Sequence, residues 1–145
     1  MNLDVIYVKM STKGRYALTT MMYLANHYSD EKYISLKEIS DSEGISFKYL
    51  EKIVNNLNKN NYLDVQRGNN GGYKLKKKPE EYVIGDILRV SEGNLAPIEC
   101  LTKNSNCFNK NDCKMCYFWK ELYDQINNYV DSITLKDLIN GGKNE

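Results

Sequence analysis

Four cysteines are the residues of this chain best suited to chemistry. They lie within one 17-residue segment, as Cys100-x6-Cys107-x5-Cys113-x2-Cys116, and the remaining 128 residues hold none. Four thiolates on so short a stretch can bind a zinc ion or an iron–sulfur cluster, act as a thiol redox switch, or pair as disulfides. Asp4 and Lys9 interrupt the start of the chain, which has no apolar run followed by a small-residue cleavage site, so no secretory leader is expected. A cytoplasmic address is therefore expected, where metal or redox chemistry is the commoner use of clustered cysteines. The residues between them are polar and turn-prone, among them Thr102, Lys103, Asn104, Asn109 and Asp112. Such a loop has little apolar surface to fix its shape, and a bound metal would supply the order.

No general base stands near a placed nucleophile, and the single histidine, His27, falls at the end of a predicted helix. Neither an enzyme nor a small-molecule substrate is expected. No run of about 18 apolar residues is present, so no membrane-spanning helix is predicted. The net charge of +1 conceals an asymmetry. Residues 1–78 carry 13 Lys/Arg against 8 Asp/Glu, a net of +5, and residues 79–145 carry 7 against 11, a net of −4. A polyanionic partner is expected for the first part only.

The elements around the cysteines fall into a recognisable order. After an extension over 1–9, Ser11 or Thr12 caps a helix running to about Tyr28, with apolar residues from Ala17 to Ala25 at 3 and 4 spacing. The two methionines in it, Met21 and Met22, read as core filler. Ser35-Leu-Lys-Glu38 is a capping box for a short helix that Gly44 ends. Ser46 caps a third helix, Phe47 to about Asn58. Phe47, Leu50, Ile53, Val54 and Leu57 are expected on its core face, and Lys48, Tyr49, Glu51 and Lys52 on its solvent face. Residues 62–66 and 73–75 read as strands around an Arg67–Gly72 tip. The fold class is mainly α with a small β-hairpin, a winged helix–turn–helix followed by a long C-terminal helix.

That layout assigns roles. Ser46 and Lys48 are expected at phosphates or base edges, beside Tyr49 and Lys52, and Glu51 is placed to accept from a cytosine amine. Arg67 is expected in a minor groove. Gly71 and Gly72 are expected to allow positive φ and close approach to phosphate. Beyond the Lys76–Lys78 edge, Val83 to Glu92 reads as a connecting helix within 79–99, followed by the cysteine loop, 100–116. A long helix starts near Asp112 or Cys113 and reaches about Asp131, and Leu135–Ile139 is a last short helix. Trp119, Leu122, Ile126, Tyr129 and Ile133 recur at the spacing of a coiled-coil seam, which predicts a homodimer.

Four stretches in combination carry a family resemblance: Met10 to Leu18, Gly44 to Lys52, Val65 to Tyr73 and Ser132 to Leu138. Together they resemble the bacterial Rrf-two family of regulators, which takes in the IscR, NsrR and CymR types, over about residues 8–140. The resemblance implies a winged-helix homodimer on palindromic operators in double-stranded DNA, joined through the long helix. It implies further that Cys100, Cys107 and Cys113 hold an iron–sulfur cluster, 2Fe–2S before 4Fe–4S, as in the IscR-like branch. Two departures stand out. Cys116 occupies the place where the cluster-assembly regulators have a histidine, and the first cysteine gap is one residue longer than usual. Arg15 stands where some nitric-oxide and redox sensors carry an acidic ligand. With Arg15 unable to serve and His27 distant in sequence, Cys116 is the expected fourth ligand. All-cysteine zinc is the alternative occupant.

Overall fold

The computed structural model describes residues 10–102 and 113–142. The extension over 1–9 lies outside them. Helix α1 (Thr12–Asn26) buries Ala17, Met21, Leu24 and Ala25 along one stripe, with Met21 fully enclosed as core filler. It stops short of Tyr28, because the His27 and Tyr28 amides turn back to Tyr23 O and Ala25 O, each at 3.2 Å. Ser35 Oγ accepts the Glu38 amide at 3.1 Å to start α2 (Leu36–Glu43). The Glu38 carboxylate, expected to reach back to Ser35, accepts instead from the Tyr23 hydroxyl at 3.2 Å. Gly44 ends α2 with φ of 67°, a conformation that a side chain disfavours.

Ser46 Oγ accepts the Tyr49 amide at 3.2 Å and opens α3 (Phe47–Lys59), which buries Leu50, Ile53, Val54 and Leu57. Phe47 departs from the expected core face and is 51% exposed. At 3.6 residues per turn it sits about 70° from the centre of the apolar stripe, on the flank it shares with Glu51. Strands β1 (Leu63–Gln66) and β2 (Gly72–Leu75) form the antiparallel wing, in register from Leu63↔Leu75 to Gln66↔Gly72. A rung that the pattern did not predict joins Ile34 to Tyr73 through two backbone bonds of 2.8 Å. Gly72 is obligatory there, since a Cβ would lie 2.3 Å from Ile34 O.

The chain then returns to the core. Tyr82 is buried, accepts the Lys76 and Lys77 amides at 3.0 and 3.1 Å and donates to Tyr62 O at 2.7 Å, tying the wing's exit to its entry. Val83 caps α4 (Ile84–Glu92) rather than forming its first turn. A long helix, α5 (Cys116–Asp131), starts three or four residues later than expected. Helix α6 (Leu135–Ile139) is closed by a reciprocal Thr134–Asp137 capping box, and an isolated Val83↔Thr134 bridge anchors it to the start of α4. One apolar cluster runs through α1, α2, α3, the wing, α4 and α6, and includes Ile39, Leu57, Leu75, Ile87 and Leu135. Helix α5 contributes no buried residue.

Candidate nucleic-acid interface and cysteine segment

Ser46, Lys48, Glu51 and Lys52 are all exposed on α3, as expected. The Ser46 oxygen is engaged by the helix, and its hydroxyl proton remains available to an acceptor. Tyr49 differs from expectation. It is half-buried, with its ring edge-on to Tyr16 at 5.4 Å and 87°, so it belongs to the flank that meets α1. The reason is its angle: Tyr49 and Asn56 share a side of α3, and the Asn56 amide donates to Val90 O at 3.2 Å. Arg67 is exposed at the end of β1. Gly71 is half-buried and does not adopt positive φ; Gly68, at 111°, does. Gly71 is required for space, because a Cβ there would stand 2.2 Å from Gln66 O. Burial pushes the Tyr73 phenol up, the nearby Glu51 adds to the rise, and Arg67 opposes it.

The exposed Lys13 of α1 extends this surface, and Lys13, Tyr49, Lys52, Asn56 and Ser91 line a groove between α1, α3 and α4. Glu92 lines an adjoining pocket with Ser11, Lys13, Tyr49 and Ser91. Its carboxylate accepts the Ser11 hydroxyl and the Gly14 amide, the latter at 3.0 Å, so the last residue of α4 caps the first turn of α1. Nothing in the local sequence marks this role, since the partners are about 80 residues apart.

Helix α5 is fastened at one end. Arg89 of α4 grips Asp131 with two bonds of 2.8 and 2.9 Å, donates to Asn127 at 2.8 Å and approaches Asp86 at 3.4 Å. The bond to Asp131 raises the Arg89 pKa further above its usual value. Of the expected seam, Ile126 and Ile133 rest partly on the chain's own core. Trp119 and Leu122 are partly exposed, Tyr129 is 68% exposed, and Phe118 beside them is 50% exposed. Trp119 meets Phe118 edge-on at 5.0 Å.

The cysteines sit at both edges of the undescribed stretch. Cys100 lies in a 3-10 turn, Glu99–Leu101, and Cys116 is the first residue of α5, its amide donating to Cys113 O at 3.2 Å. All three are half-buried, and Cys107 lies outside the described residues. Among the described residues no three of His, Cys, Asp and Glu gather at one point. Cys113 and Cys116 are thus joined by a backbone bond at the approach to α5, two thiols whose donor chemistry suits zinc or an iron–sulfur cluster. Arg15 is exposed and cationic, and no ligation is expected of it. His27 stacks on Tyr23 at 4.2 Å, with Nδ1 2.8 Å from Tyr23 O.

A helix–turn–helix with an exposed basic second helix, continued by an antiparallel wing, defines a winged-helix DNA-binding protein. The chain belongs to the Rrf2 family, described as iron-dependent transcriptional regulators, whose family model matches residues 10–141. It is 34% identical over 133 residues to the HTH-type transcriptional regulator IscR of Pectobacterium atrosepticum, covering 92% of this chain and 80% of that protein. Among solved structures it is similar to CymR, the global cysteine regulator of B. subtilis, with a TM-score of 0.74, 35% identity and coverage of 93% and 98% of the two chains. It is also similar to T. potens IscR, with a TM-score of 0.70, 34% identity and coverage of 92% and 87%. These relatives are regulators and not enzymes, and so is this chain.

Proposed function

We propose that this regulator binds palindromic operators as a homodimer and takes its signal through an iron–sulfur cluster held by Cys100, Cys107, Cys113 and Cys116. The observation that carries the reading is where the cysteines stand. Cys100 follows α4, whose last residue caps α1, and Cys113 lies just before α5, whose first residue is Cys116. The segment therefore joins the DNA-binding half to a helix that leaves Tyr117, Phe118 and Tyr129 exposed. A bound cluster supplies a group whose charge and integrity follow redox conditions.

The chain's own residues supply the rest. Trp119, Leu122, Ile126, Tyr129 and Ile133 seat a second copy, with Tyr129 the most exposed of them. Ser46, Lys48, Glu51, Lys52 and Arg67 meet DNA, Tyr49 lines the groove beside them, and Gly71 lets the wing tip turn. Fixing Cys113 and Cys116 fixes the first turn of α5, and through the Arg89–Asp131 grip its angle to α4. That angle sets the separation of the two recognition helices, which must match half-sites one turn apart, roughly 34 Å. Likeness to a cysteine regulator supports a second reading, thiol sensing without a cluster.

The test is anaerobic purification followed by a visible spectrum and assay of iron, acid-labile sulfide and zinc. A coloured protein that loses its spectrum in Cys116→Ala supports the reading. A colourless protein with stoichiometric zinc assigns the four thiolates to zinc. A colourless, metal-free protein whose DNA affinity changes on oxidation supports the second. Cys116→His should raise the midpoint potential of a bound cluster, because a neutral imidazole replaces an anionic thiolate.

A further inference from the structure

Leu50, Ile53, Val54 and Leu57 of α3 are buried, whereas Phe47 leaves a phenyl ring 51% exposed on the helix's first turn. An exposed ring forgoes the burial that its neighbours gain, and it stands among groups suited to a polyanion: Ser46 before it, Lys48 after it and Lys52 a turn on. It shares its flank of α3 with Glu51, one turn along. A recognition helix enters the major groove by its N-terminal residues. The apolar group displayed on that groove's floor is the C5-methyl of thymine, which phenylalanine contacts well.

We propose that Phe47 reads a thymine methyl group in the major groove, next to the base edge that Glu51 faces. The inference rests on the DNA-binding reading of α3 and deepens it, making Phe47 a specificity residue. A second copy of the chain is the weaker occupant, because cations flank the ring and the broad apolar side of the molecule lies on α5.

The probe is a duplex selected from a randomised pool by the wild-type protein. It is resynthesised with deoxyuridine at each thymine in turn, which deletes one methyl group and nothing else. Wild-type protein should lose roughly threefold to tenfold in affinity at one thymine per half-site, the scale of burying a single methyl. Phe47→Ala should bind the thymine duplex that much more weakly and show no further loss with deoxyuridine. Its sedimentation should match wild type and its thermal midpoint should fall only slightly, since half of the ring is exposed. Equal deoxyuridine profiles for the two proteins would overturn the proposal and leave DNA binding intact. A Phe47→Ala protein that sediments as a monomer would assign the ring to a protein interface instead. Failure of the wild-type protein to select any duplex would remove the DNA-binding reading itself.

Discussion

The Arg89 grip on α5 is a testable determinant of how the long helix is held. Two charge-assisted bonds to Asp131 and a third to Asn127 join α4 to the last turns of α5. Shielded bonds of this kind contribute about 1.5–3 kcal/mol each. Arg89 and Asp131 keep 31% and 45% of their side-chain exposure, so solvent screening reduces the pair toward the surface range. A coupling of about 1–2 kcal/mol is expected between the two residues. Arg89→Met, Asp131→Ala and the double variant form a mutant cycle, measured by urea unfolding at one fixed protomer concentration, because dimerisation shifts apparent stability. Raising ionic strength from about 0.1 M to 1 M shortens the screening length from about 10 Å to 3 Å and should lower the coupling. A coupling below about 0.3 kcal/mol, or one indifferent to salt, would refute the account of α5 as a helix fastened by this pair.

Arg67→Ala should weaken operator binding by roughly 1–3 kcal/mol, and an unchanged affinity and salt slope in a gel-shift titration would remove the wing tip from the interface. Ile126→Lys places an ammonium in the seam at a cost of several kcal/mol if unpaired, so the variant should sediment as a monomer or fail to fold. A normal dimer would move the interface off α5. Tyr82→Phe strips the acceptor from two amides and the donor from Tyr62 O, and should cost about 1–3 kcal/mol in urea unfolding. Burial raises the Tyr82 phenol, against the two amide bonds from Lys77 and Lys76. The folded state thus holds that proton more tightly than the unfolded chain. Its contribution is complete below about pH 10 and is lost as pH rises through the folded value, so Tyr82→Phe should lose stability less steeply at alkaline pH. Glu92→Leu removes the cap on α1 and should cost about 0.5–2 kcal/mol, read from the same unfolding curves.

Much of this protein is written locally. The caps at Ser35, Ser46 and Thr134, the apolar stripes of α1 and α3, and the glycine-rich hairpin depend on residues within one or two turns, so their spacing alone specifies them. The cysteine cluster and the exposed cations of α3 are equally a matter of order along the chain. Less was legible wherever a residue's surroundings come from distant segments. Phe47 obeys the helical period and is still half exposed, because it stands at the edge of the apolar stripe, about 70° from its centre. Tyr49 reads as polar-face and turns inward, because Tyr16 of α1 is there to meet it.

The same distinction separates the two halves of the candidate site. Sequence by itself determined the helix–turn–helix, the wing and the set of thiols, since each rests on short-range periodicity and residue chemistry. Tertiary structure alone decided that Glu92 caps α1, that Ile34 adds a rung to the wing and that Arg89 fastens α5 at its far end. Those contacts join residues about 40 to 80 positions apart, and only the folded core, by fixing where α1, α4 and α5 lie, brings their hydrogen-bonding groups within reach.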